Sequence, residues 1–126
     1  MAIHKFTRAI FEGRPVEIYG DGSSARDYTY IDDIVQAVTD NLENIRGYEI
    51  FNLGNSKPVK LLRLVKIIEA AAGKTATVIH TGMQQGDVNI TFADILKAWK
   101  MLKYNPKITI EKGIEKFIHW YKSPQT

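Results

Sequence analysis

The stretch Val16–Asp33, VEIYGDGSSARDYTYIDD, decides how this chain is read. Its first four residues suit a short strand. Gly20-Asp21-Gly22-Ser23-Ser24 is a turn, because glycine tolerates positive φ and Asp and Ser bond to nearby backbone. Tyr28-Thr29-Tyr30 favours extended structure. Asp32 or Asp33 then starts a helix, where a carboxylate satisfies free N–H groups and suits the positive end of the helix dipole. Between turn and helix stands Arg26, whose planar fork of donors matches phosphate oxygens. Tyr28 shares a face with Arg26 if this segment is extended. Tyr19 or Tyr30 is then placed to lie against a base or sugar. The competing reading is a surface arginine paired with Asp27 beside structural tyrosines.

Outward from this stretch the periodicity alternates. Residues 2–12 read as a helix ended by Gly13, with Pro15 blocking continuation. After Asp33, the residues Ile34, Val35, Val38, Leu42 and Ile45 give a helix its apolar face, with Gly47 as its natural stop. Residues 48–53 predict a second strand, closed by Gly54-Asn55-Ser56. Leu61, Leu64, Val65 and Ile68 form the stripe of a helix that Ala70, Ala71 and Ala72 extend to Gly73. Residues 75–79 are β-branched and predict a third strand. A helix over 94–102 carries Ile95, Ala98, Trp99 and Leu102, and Asn105-Pro106 interrupts it. Thr109 caps a last helix with Ile110, Ile114, Phe117, Ile118 and Tyr121 on one face. Trp99, Trp120 and Phe117 follow apolar stripes and are expected in the core. Strands alternating with helices argue an α/β fold.

Bulk composition narrows the function classes. The 126 residues fit one domain, 1–126, and 44% hydrophobic with 25% charged residues is ordinary for a globular protein. The net charge of +3 is spread along the chain, with no basic cluster, so a nucleic-acid partner is not expected. The chain has no cysteine, which excludes disulfides, thiolate catalysis and Cys-ligated zinc. That absence is compatible with the cytoplasm, the expected location. No apolar run approaches the ~18 residues of a membrane helix. His4, His80 and His119 are far apart, so no metal site is expected. Asp32 and Asp33, as helix neighbours, point apart and make a poor acid–base pair.

Two further segments suit a ligand. In Met83-Gln84-Gln85-Gly86-Asp87-Val88, Gly86 allows close backbone approach, Asp87 can accept from ribose hydroxyls, and Gln84 can donate to a carbonyl or phosphate. The plainer reading is a turn with Gly-Asp at its corner. Asn52-Leu53-Gly54-Asn55 ends a strand, where ligands collect in open α/β sheets, although a strand-to-helix turn explains it equally. Asp94 reads as a helix cap.

Three elements together resemble the extended short-chain dehydrogenase/reductases that act on nucleotide sugars, in particular UDP-glucuronate 4-epimerase-like proteins. They are GDGSSARDYTYIDDIVQAV, the strand FNLGN, and MQQGDVNITFADILKAWKMLKYNP followed by a helix ending in FIHWY. The resemblance covers essentially the whole chain. It implies the C-terminal, substrate-binding part of a Rossmann-type epimerase, built of helices with few short strands. Glu17, Ile18 and Tyr19 would line the uracil pocket, Arg26 would touch the diphosphate with Tyr28 close by, and Asp87 would sit near the ribose. Gln84 falls where many relatives carry a second phosphate-binding arginine, and Gln is usual there in the uronate branch. Gln85 stands where that branch usually has Pro, which loosens the loop.

The resemblance also implies what is missing. No strand–Gly-rich turn–helix fingerprint is present, and none of the six tyrosines has a Lys four residues on, so no catalytic residue is assigned. The chain starts within a helical pattern, as expected of a fragment without the nucleotide-binding half. The intact enzyme would use NAD to oxidise the sugar at C4, let the keto intermediate turn, and return the hydride to the other face. The fragment is expected to bind no NAD and to turn nothing over. Its expected partners are a UDP-sugar, the NAD-binding half, and a second copy through exposed apolar surface. A related nucleotide-sugar dehydratase, reductase or decarboxylase, or a stand-alone interaction module, are the alternative readings.

Overall fold

The computed structural model describes residues 2–44, 47–82, 86 and 88–123. Helix α1 spans Ala2–Phe11 and buries Phe6, Thr7, Ala9 and Ile10. Gly13, at φ 66°, turns the chain out of it, and the Arg14 N–H reaches back to the Ala9 carbonyl at 2.8 Å. Strand β1 (Val16–Tyr19) follows, then β2 (Ala25–Arg26), α2 (Ile31–Thr39), β3 (Val59–Lys60), α3 (Leu61–Ala72), β4 (Val78–Thr81), β5 (Ile90–Thr91), α4 (Leu96–Leu102) and α5 (Ile110–Lys122). The α/β class and the prevalence of helices over short strands are as the sequence implies.

Two small sheets organise the strands. β1 pairs in parallel with β4, Val16 opposite Val78 and Tyr19 opposite Thr81. β2 lies between β3, antiparallel, and β5, parallel. α3 is the central helix, packed by α1 and α5. Its Leu64, Val65, Ile67 and Ile68 join Phe6, Ile10, Val16, Ile18, Ile114 and Ile118 in the main core. α5 is capped by the Thr109 hydroxyl, which accepts from the Lys112 N–H at 3.4 Å. α3 has no side-chain cap. Its leading N–H groups are taken by the glycine turn instead: Leu61 donates to the Ser24 carbonyl at 2.9 Å and Leu62 to that of Gly22 at 3.3 Å.

Four expectations change. α2 stops at Thr39 rather than running to Gly47. The Thr39 hydroxyl bonds back to Val35 and Gln36 carbonyls, and Asn41 and Asn44 side chains donate to Ala37 and Asp40 carbonyls. These side chains compete with the next helical turn. Residues 48–53 form no ladder, and Tyr48 is 87% exposed. Phe51 and Leu53 still pack on a small second core of Ala37, Ala98 and Tyr104. The third strand begins at Val78, later than predicted, because the Ala76 N–H is engaged by the Glu69 carboxylate at 2.7 Å. Trp99 and Trp120 lie more than half exposed, not in the core. The outer stripe of α2, Ile31, Val35 and Val38, is likewise exposed, and Leu42 beyond it more so. Among the described residues no helix is long and apolar enough to cross a membrane.

Candidate functional site

Arg26 ends the two-residue central strand β2, opposite Val59 on one side and Thr91 on the other. Its guanidinium donates to the Ala25 carbonyl at 2.9 Å and to that of Asn89 at 3.5 Å. Tyr28 is half-buried; burial raises its phenol, and the charge of Arg26 acts on it in the opposite direction. The two side chains therefore share one neighbourhood. The Tyr28 ring also walls two adjoining cavities, of about 230 and 210 Å³, which meet along Ile108–Ile110. The first is apolar and is bordered by Ile3, Ile114 and Phe117. Lys57 and Lys107 border the second.

β1 carries other proposed positions, in the sheet it forms with β4. Tyr19 pairs with Thr81, the last residue of β4, and Ala25 pairs with Ile90, the first of β5. The segment 82–89 thus starts beside Tyr19 and ends beside Arg26. Gln84 and Asp87 belong to that segment but lie outside the described residues. Glu17 is exposed and pairs with Lys5 at 3.5 Å. Ile18 is fully buried, and its carbonyl accepts from the Thr81 hydroxyl at 3.3 Å, so this residue offers no exposed surface to a ligand. Tyr30 is committed elsewhere: its ring packs on Gly113 of α5, under the Lys116 ammonium at 5.0 Å.

The adjacent carboxylates do unexpected work. Asp27 accepts from the backbone N–H groups of Asn55 (3.1 Å), Ser56 (2.8 Å) and Ala93 (3.1 Å). Asp33 does not cap its own helix. It accepts from Lys107 N–H at 2.9 Å and Ile108 N–H at 3.0 Å, while Asp32 pairs with Lys116 at 2.7 Å. The Asn55 amide donates to the Ile108 carbonyl at 3.2 Å, and the buried Tyr104 hydroxyl donates to that of Gly54 at 2.8 Å. A polar network therefore ties residues 27–33 to 54–56, 93 and 104–108. Sequence reasoning missed it. The available signal was a run of acids around tyrosines and two turns rich in unpaired N–H groups.

The Tyr104 phenol is pushed up to about 12, first by burial and then by the charges of Asp33 and Asp27. Unfolded tyrosine titrates near 10. The neutral form thus stabilises the fold fully below about pH 10, and this is lost as pH rises through about 12, on the order of 2 kcal/mol. An alkaline absorbance titration should show Tyr104 ionising last of the described tyrosines, and Tyr104→Phe should remove that final step. Early titration of Tyr104 in the folded protein would contradict the placement.

The glycine turn does not fit a dinucleotide. β1 leads through it into strand β2, not into a helix whose N-terminus would face a pyrophosphate. A Cβ on Gly22 would stand 2.6 Å from Leu62 Cγ, so this glycine makes room for α3. Among the described residues, no group of His, Cys, Asp or Glu is placed to hold a metal ion.

Comparison with known proteins agrees with this architecture. Residues 1–54 match the NAD dependent epimerase/dehydratase family. An uncharacterized protein of Methanocaldococcus jannaschii is 45% identical over 121 residues, covering 96% of this chain and 37% of that protein. A UDP-glucuronate 4-epimerase of Thermodesulfobacterium geofontis is 42% identical over 97% of this chain and 38% of its own length. The crystal structure of UDP-glucuronic acid 4-epimerase from Bacillus cereus, in complex with UDP-glucuronic acid and NAD, superposes with a TM-score of 0.86 at 32% identity. It covers 96% of this chain and 40% of that one. The chain thus spans well under half the length of the relatives it matches. By sequence and by fold it is similar to part of the NAD dependent epimerase/dehydratase proteins, the UDP-glucuronate 4-epimerases among them, consistent with a C-terminal part of an extended short-chain dehydrogenase/reductase.

Proposed function

We propose that residues 1–126 form a single substrate-binding unit that holds the UDP part of a nucleotide sugar for an NAD-dependent, UDP-glucuronate 4-epimerase-like enzyme. The observation that carries this reading is the strand register: it sets one end of the 82–89 segment beside the end of β1 and the other beside β2, the strand of Arg26. Arg26 takes the diphosphate, Tyr28 lies beside it, and the strand Glu17, Ile18 and Tyr19 lines the uracil pocket. Gln84 and Asp87 complete the site from the loop. The hydride chemistry belongs to a dinucleotide held by another part of the enzyme, and the glycine turn here offers that cofactor no seat. The chain alone turns nothing over. Its exposed apolar residues on α2, at 48–50 and on α4 suit the cofactor-binding half or, failing that, a second copy.

Titration of the ¹⁵N-labelled chain with UDP tests the reading. Amides around Arg26, Tyr28 and the 82–89 segment are expected to shift, with weak affinity. Arg26→Ala is expected to weaken binding about 10-fold, since a hydrogen bond to a charged group contributes roughly 1.5–3 kcal/mol. A wild-type chain whose amides near Arg26 and Gly86 ignore UDP would overturn it.

A further inference from the structure

We propose that Asp27 is a positioning residue for Arg26, a role that rests on the reading of Arg26 as the diphosphate ligand. The ladder of β2 stops at Arg26. Beyond it, the Asp27 side chain takes over. Neighbouring residues of an extended segment face opposite ways, so Asp27 reaches away from Arg26 and meets two loops. Asn55 and Ser56 come from one loop and Ala93 from the other, 28, 29 and 66 residues along the chain. The carboxylate is held from both, which leaves the intervening backbone little freedom to slide or rotate.

The site is specific for this one side chain. All three partners are donors, and an ionised carboxylate is an acceptor alone. Asparagine would turn an NH₂ group toward at least one of them. Space is equally restricted, because a Cβ on Gly54 would lie 2.7 Å from Asp27 Oδ2. Ser56 adopts φ 57°, a conformation a non-glycine residue rarely takes, and in that conformation its N–H meets Asp27. The Asp27 carboxylate is thus committed to the two loops and fixes the direction of Arg26 beside it.

The test uses the full chain and the Asp27→Asn variant, alone and with Arg26→Ala. UDP affinity is expected to fall about 10-fold in Asp27→Asn, comparable to Arg26→Ala. The double variant should bind UDP no more weakly than Arg26→Ala alone, because the effect passes through the guanidinium. A purely structural role would lower affinity in both backgrounds. In ligand-free protein, the Arg26 guanidinium NMR signals should move in Asp27→Asn toward those of solvent-exposed arginines. If Asp27→Asn does not fold, the wild type still decides: the Asn55, Ser56 and Ala93 amides should respond to UDP, and cease to respond in Arg26→Ala. Wild-type affinity in Asp27→Asn, an equal loss in both backgrounds, or silent Asn55, Ser56 and Ala93 amides would each overturn the proposal. A wild type that ignores UDP would instead sink the diphosphate reading, with the Arg26 signals still deciding whether Asp27 places that side chain.

Discussion

Leu64→Ala is expected to destabilise the fold by about 3–5 kcal/mol, the range measured when a buried leucine leaves a cavity that cannot collapse. Leu64 is 0% exposed and sits on the central helix α3, between α1 and α5. Its neighbours in the core, Ile18, Ile68 and Ile114, are themselves buried and branched, so none can swing into the void. Domains of this kind have roughly 5–15 kcal/mol in total, so the variant should melt far earlier or fail to fold. Leu42→Ala provides the contrast. Leu42 is 72% exposed, and its loss should change stability by less than about 0.5 kcal/mol. Urea melts of the two variants would decide; a Leu64→Ala loss below about 1 kcal/mol would mean that α3 is not the centre of the core.

Gly54→Val should be nearly as damaging, for a different reason. A Cβ at this position would stand 2.5 Å from the Ala93 Cβ and 2.7 Å from an Asp27 carboxylate oxygen. Neither is the far end of a flexible chain. Relief requires the 54–56 turn or the Ala93 segment to withdraw, and either movement strips Asp27 of donors. Overpacking contributes about 1–3 kcal/mol, and leaving a buried polar group unsatisfied about 1–3 more. The expected loss is therefore about 3–5 kcal/mol by thermal or urea unfolding, with selective loss of the Asn55, Ser56 and Ala93 amide protection in hydrogen exchange. A variant of wild-type stability would show that the turn has room that the packing denies.

Much of the fold was legible because it depends on local periodicity. The stripes of α1, α3 and α5 repeat at helical spacing, and Gly13, Gly73 and Thr109 mark their ends in the residues themselves. What was not legible depends on partners far along the chain. Residues 48–53 have the composition of a strand, but a strand exists only where another supplies its ladder. Asp33 has the position of a cap, yet its acceptors face Lys107 and Ile108, some 75 residues on. Trp99 and Trp120 follow apolar stripes, and periodicity alone does not say whether anything lies opposite. The same holds for the site. Arg26 and Tyr28 could be singled out from residue chemistry, whereas Asp27, which accepts from three backbone N–H groups, looked like a mere counter-ion.

The parallel pairing of β1 with β4 joins Val16 to Val78 across about sixty residues. Such a topology sets an order of events during synthesis. The first strand leaves the ribosome long before its mate, and Val16 and Ile18 must wait uncovered until α3 and β4 emerge. Long-range closures of this sort slow the search and prolong the life of sticky intermediates. Recovery from denaturant should accordingly be sensitive to protein concentration, and chaperone capture most useful while the middle third of the chain is being made.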